Sequence, residues 1–133
     1  MLGGLDAVKY ILKRKGCLHP FMISRILALS EILYYKDHGK RMTNTTYVAG
    51  PGTFYIENLK ELLNNDSCFE KKEGDPERGI KSCIQYTCPF ENDFDEQYRK
   101  YLDKAIEMSM KMDDIKLNEL VVNDSVFNKI TVK

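Results

Sequence analysis

The stretch MTNTTYVAGPGTFYIENLKELL, residues 42–63, decides how this chain is read. A polar segment passes into a short β-like run, Tyr47-Val48-Ala49, and then into Gly50-Pro51-Gly52, a tight-turn signal. Thr53 is placed to cap a helix. Phe54 or Tyr55 then recurs with Leu59, Leu62 and Leu63 at helical spacing, which predicts a third helix from Phe54 to about Asn64. Asn64-Asn65-Asp66 ends it. The functional question is what docks against that helix: DNA, another protein, or only the rest of the fold.

Upstream lie two more helical patterns. From Leu5 to Lys15, Leu5, Val8, Ile11 and Leu12 share a face, Asp6 suits the first turn and Gly16 the C-cap. Lys13-Arg14-Lys15 is the one basic run, and cations at a helix C-terminus explain it more simply than a phosphate contact does. From Pro20 to about Lys36, Met22, Ile26, Leu29 and Leu33 form one face, which Ile23, Leu27 and Tyr34 widen. A helix apolar around so much of its circumference is expected at the centre of the fold.

Downstream, two extended runs, residues 67–72 and 80–88, flank EGDPERG, residues 73–79. Ile80, Ser82, Ile84, Tyr86 and Cys88 alternate onto one face, so a half-buried hairpin is predicted, with Phe69 opposite Ile84 and a charged tip. Pro89 breaks the second strand. Asn92 or Asp93 then caps a long helix from Phe94 to about Met112, followed by a short one near Ile115–Val122 and a partly ordered tail at Val126-Phe127.

The chain has 133 residues, 20 Lys plus Arg and 20 Asp plus Glu. That length fits one domain: an N-terminal helical extension (1–18), a core with a wing (19–90) and a C-terminal helical extension (91–133). The zero net charge withholds the support that a basic domain would lend to nucleic-acid binding. The apolar run Phe21–Tyr35 is interrupted by Arg25 and Glu31 and is too short to cross a bilayer. The first residues place their cations after the apolar ones, the wrong order for a signal peptide. A cytoplasmic location without membrane contact is therefore expected. Of the four cysteines, none forms a Cys-x-x-Cys pair. Buried, reduced thiols are the simpler reading. Any disulfide is expected to join Cys68, Cys83 or Cys88 by hairpin proximity and to leave Cys17 free.

The order helix, helix, short strand, helix, strand, charged turn, strand resembles a winged-helix domain, with KKEGDPERGIK (71–81) as the wing. The expected class is mostly α with a small antiparallel β-hairpin, winged-helix-like with a long C-terminal helix. The segment ILYYKDHGKRMTNTTYVAGPGTFYIENLKELL also resembles the Panacea-type antitoxin domain family. In that family a helix ends in a Leu-Tyr pattern and a Gly, followed by Thr-x-x-x-Tyr-x-Ala, Gly-Pro and a Leu-x-x-x-Leu helix. Tyr47, Ala49, Gly50, Pro51 and Leu59 carry most of the likeness. It implies a toxin-neutralising or adaptor module that binds protein and has no catalytic activity.

No Gly-rich phosphate loop, His-Glu-x-x-His or nucleophile elbow is present, so no catalytic residue, cofactor or metal is expected. His19 reads as a solvated or capping residue rather than a base, and Asp113-Asp114 as a helix end. For duplex DNA, Asn58 and Lys60 would approach base edges, and Lys71, Lys72, Arg78 and Lys81 would contact phosphates. Glu57 and Glu61 oppose that. Phe94, Tyr98, Tyr101, Ala105, Met108 and Met112 keep a 4-3 spacing and predict a homodimer seam. The leading expectation is a dimeric DNA-binding transcriptional regulator. The alternative is a non-catalytic antitoxin or adaptor with a protein partner such as a toxin.

Overall fold

The computed structural model describes residues 1–90 and 94–132. Helix α1 (Gly4–Lys15) ends at Gly16, whose φ of 86° suits a residue without a Cβ. Helix α2 (Pro20–His38) starts at Pro20 and ends at Gly39 in the left-handed conformation. As its all-round apolarity predicts, α2 is the axis of the molecule. It packs against α1, against α4 (Glu96–Ser109), against α5 (Asp114–Val122) and against the short α6 (Phe127–Ile130). Ile23, Ile26, Leu27, Ala28 and Ile32 are all fully or almost fully buried.

The stretch quoted at the outset folds differently from its helical spacing. Thr53–Ile56 is a strand, β2, paired antiparallel with β1 (Tyr47–Gly50), and the helix that follows, α3, is only Leu59–Asn64. Pro51 and Gly52 form the two-residue connection, with Gly52 at φ 66° as a type II turn requires of its third residue. Thr-Phe-Tyr-Ile is a run of β-branched and aromatic residues. Phe54 and Ile56 go inward and Thr53 and Tyr55 outward, a period of two that outweighs the leucine spacing beyond it. Thr53 therefore caps no helix. The tail closes this sheet: β5 (Thr131–Val132) runs parallel beside β1, giving the order β2-β1-β5.

The second sheet is the predicted hairpin, β3 (Phe69–Lys72) with β4 (Cys83–Tyr86). Phe69 and Ile84 share its buried face, and Pro76 to Arg78 are exposed at the tip. The register is displaced by one pair of residues: Phe69 faces Tyr86, and Ile84 faces Lys71. Ile80 leaves the alternation to bridge Asp75 at the tip, where it is 54 % exposed.

Both strand ends of this hairpin are stapled. Cys68 is bridged to Cys88, and Cys83 to Cys17. The expectations of reduced thiols and of a free Cys17 are corrected accordingly. Leu18 pairs with Ile84 through two backbone hydrogen bonds of 2.9 and 2.7 Å, and that extension of the sheet brings Cys17 to Cys83 with Cα atoms 5.3 Å apart.

Helix α4 is capped by Asp95, whose side chain accepts from the Gln97 N–H; the predicted caps Asn92 and Asp93 lie outside the described residues. Its seam faces inward. Tyr101 and Ala105 are buried, and Phe94, Tyr98, Met108 and Met112 pack on the chain's own core. Tyr34 of α2 meets the rings of Tyr98 and Tyr101 at 5.7 and 5.2 Å. The 4-3 spacing thus serves α2, and the residues assigned to a dimer seam are occupied within one chain.

Two hydroxyls fasten α4 to its neighbours. Tyr101 donates to Asp37 at 2.7 Å, and Tyr10 of α1 donates to Asp103. The Asp37 hydrogen bond pushes Tyr101 up to about 12, and burial followed by Asp103 does the same for Tyr10. Both values exceed that of an unfolded tyrosine, near 10. The folded state therefore favours the protonated phenols. Their contribution to stability is whole below pH about 10 and is lost as pH rises toward 12. In urea titrations at stepped alkaline pH, Tyr10→Phe with Tyr101→Phe should flatten the fall in stability across that window. An unchanged slope would remove these phenols as its cause.

Candidate binding cleft between the two sheets

The N-terminal turn of α2 forms the floor of a cleft. The His19 Nδ1 accepts from the Phe21 N–H at 3.0 Å, the capping role read from the sequence. That bond leaves the proton of the neutral ring on Nε2. Burial, followed by the nearby Lys81, lowers the His19 pKa. His19 thus offers the cleft a hydrogen-bond donor and not a base.

One turn further on is Arg25, only 3 % exposed. Its guanidinium lies between two rings, with Phe21 at 3.8 Å and Phe54 at 4.0 Å from the central carbon. Nε and Nη2 donate to the Asn118 Oδ1 at 3.0 and 2.8 Å, Nη2 also to the Thr53 Oγ1 at 2.8 Å, and Nη1 to the Ser24 Oγ at 2.9 Å. Asn118 is itself fixed by donating to the Gly52 carbonyl at 3.1 Å. Arg25 thereby joins α2, β2 and α5. Every acceptor it uses is neutral. No carboxylate among the described residues lies within ion-pair distance of it. Burial pushes it down to about 10. Cation–π contact with the buried Phe54 ring and the half-buried Phe21 ring offsets part of the cost of holding the charge there.

The cleft above Arg25 has a volume of about 850 Å³, within the size range of ligand sites. One bank is β2 and α3, from Thr53 to Asn64; the other is the hairpin face at Lys71, Ser82 and Ile84. Tyr55 is 60 % exposed over it. β2 is an edge strand. Because Glu57 donates to the Thr46 carbonyl across the pair at 2.9 Å, the odd-numbered residues of β2 bond β1. The backbone groups of Phe54 and Ile56 therefore point away from β1, to the open side.

The predicted DNA-contacting residues divide between two places. Asn58, Lys60 and Lys71 line the cleft, Asn58 in the left-handed conformation just before α3. Lys72, Arg78 and Lys81 are exposed on the hairpin. Lys71 lies 3.8 Å from Glu73, Arg78 lies 3.4 Å from Asp75, and Lys81 lies 2.9 Å from Asp114. Sequence reading missed Arg25 as a site residue. Its signal in the sequence is a lone cation inside the most apolar helical run. Among the described residues no group of three His, Cys, Asp or Glu side chains could hold a metal ion, and no helix is long and apolar enough to cross a membrane. Comparison with family models, curated proteins and solved structures gives no match.

Proposed function

We propose that this chain is a non-catalytic protein-binding module that takes up an extended segment of its partner along β2. The observation that carries this is the conjunction of an open strand edge with a cleft of about 850 Å³ beside it. Strand addition supplies affinity through the backbone, and side-chain pockets supply specificity. The resemblance of the stretch from about Phe21 to Leu63 to Panacea-type antitoxin domains supports the same class, an antitoxin or adaptor.

The second reading is a winged-helix-like transcriptional regulator that binds duplex DNA. The helix and hairpin order supports it, as do Lys60 and Lys71. It has less to draw on, because α3 has six residues and three of the four hairpin cations already face carboxylates. A homodimer would need a face other than the α4 seam. Two disulfides favour an oxidising compartment, or a cytoplasm that keeps protein disulfides as in hyperthermophiles; the cytoplasmic expectation holds in the second case.

Selection of a displayed random-peptide library on the oxidised protein tests the proposal against salt-stepped titrations with duplex DNA. Enriched peptides should shift the NMR amide signals of Phe54 and Ile56. Failure to enrich any peptide, together with duplex binding that weakens steeply with salt, would reverse the order of the two readings.

A further inference from the structure

We propose that the cleft selects a carboxylate on the partner segment, an Asp or Glu side chain that docks against Arg25. This rests on the protein-binding reading above and names the chemistry the cleft would recognise.

Arg25 has five N–H donors and uses four of them on Asn118, Thr53 and Ser24. The second N–H of Nη1 has no acceptor among the described residues. The side chain is 97 % buried (3 % exposed) and borders the cleft. A buried cation with only neutral acceptors is an incomplete arrangement: the field of the charge is scarcely screened, and nothing within reach balances it. The chain balances its other buried charge differently, since Glu31 has an arginine of its own. A carboxylate entering the cleft would supply the missing partner through a charge-assisted hydrogen bond in a low-dielectric site.

The surroundings favour a single negative charge over a larger one. Lys60 and Lys71 line the same cleft and draw an anion in, the neutral His19 ring adds a hydrogen-bond donor, and Glu57 and Glu61 on the α3 bank oppose a dianion. Phe21 and Phe54 hold the guanidinium plane in place, so the cation is oriented before the ligand arrives. The geometry of entry follows from β2. A segment pairing with the outward backbone of Phe54 and Ile56 sends alternate side chains to the two faces of the sheet. The face bearing the Phe54 side chain is the one beneath which Arg25 stacks, so one residue of the segment is directed there.

The test uses the peptides selected on the intact, oxidised protein. Each is resynthesised with its acidic residues replaced one at a time by the matching amide, and affinities are measured by calorimetry. One fixed acidic position should lose about tenfold to a hundredfold in affinity on Glu→Gln or Asp→Asn exchange. That loss should disappear with the Arg25→Met protein, provided its thermal midpoint shows it folded. The exchange in the peptide leaves the protein untouched, so the result stands even where Arg25→Met fails to fold. Peptides that bind at the β2 edge but tolerate every amide exchange overturn the carboxylate inference and leave the protein-binding reading standing. A library that yields no binder at this edge overturns both.

Discussion

Reducing the two disulfides should release the β3–β4 hairpin from the helical core before the core itself unfolds. The hairpin has little to hold it in place. Of its eight strand residues only Phe69 and Ile84 are buried, and burying two such side chains contributes roughly 3–6 kcal/mol. That falls well short of the conformational entropy lost in ordering a segment of this length. The staples supply what apolar burial does not. By the loop-closure relation, a bridge spanning 66 residues, Cys17 to Cys83, is worth about 4 kcal/mol, and one spanning 20, Cys68 to Cys88, about 3 kcal/mol. The Cys17→Ser, Cys83→Ser double variant should accordingly lower the thermal midpoint by about 10–15 °C. Its hydrogen-exchange signature should be local. The amides of Leu18 and Ile84, bonded to each other's carbonyls, should lose far more protection than those of α2. Because Lys71, Ser82 and Ile84 form one bank of the cleft, peptide binding should weaken in the same variant. Unchanged midpoint and unchanged protection at Leu18 would show that the hairpin is held by packing alone.

The disulfides also mark where sequence reasoning ran out. Proximity within a hairpin follows from strand register, so Cys68, Cys83 and Cys88 were legible as neighbours. The approach of Cys17 depends on Leu18 extending the second sheet across the α1–α2 junction, a long-range pairing with no local signature. α2 was legible because apolarity on all sides admits only a central position. The α4 spacing was legible as a seam, but period alone does not say whether the facing helix belongs to the same chain. Residues 53–56 failed for another reason. Thr53, Phe54, Tyr55 and Ile56 satisfy a strand period and Leu59, Leu62 and Leu63 a helix period, and the two run on with no break between them that spacing alone reveals. The turn at Gly50-Pro51-Gly52 argued for a hairpin, and that hairpin creates the open β2 edge. The candidate cleft thus depends on the strand-to-helix boundary after Ile56 and on the buried Arg25.

Arg25 and Glu31 are the two charges that interrupt the same apolar run, and their opposite treatment in the fold separates a structural charge from a candidate binding charge. Arg25 meets neutral acceptors and borders open space. Glu31 meets donors on every side. Its Oε1 accepts from the Arg41 guanidinium at 3.1 Å, the Thr43 hydroxyl at 2.6 Å and the Tyr47 hydroxyl at 3.4 Å; its Oε2 accepts from the N–H groups of Met42 and Thr43. A carboxylate with its lone pairs so occupied completes the segment between α2 and β1, whose backbone has no helix or ladder of its own to bond.

Replacing Glu31 should therefore be the most destabilising single substitution on this helix. Glu31 is 0 % exposed, and Met42, Thr43 and Tyr47 around it are as deeply buried. In Glu31→Ala two backbone N–H groups and two hydroxyls lose an acceptor together, and the half-buried Arg41 cation loses its counter-charge while keeping the Thr45 and Ile130 carbonyls. Leaving one member of a buried ion pair alone costs about 3–5 kcal/mol. Glu31→Gln keeps the shape but turns an NH2 group toward donors, so it too should lose most of that amount. The damage should spread along the chain. The Leu2 N–H bonds the Met42 carbonyl at 2.9 Å, and the Gly4 N–H bonds the Asn44 side chain at 2.7 Å, so the start of the chain is anchored on the segment that Glu31 organises. Urea unfolding checks this: at a slope of about 2 kcal/mol per molar, the midpoint should fall by about 1.5–2.5 M with the slope unchanged. Lys71→Ala, which removes only an exposed contact to Glu73, is the control and should move it by less than about 0.5 M. Should Glu31→Gln prove as stable as the unaltered protein, the charge of Glu31 is not what holds this segment, and the neutral hydrogen bonds around it suffice.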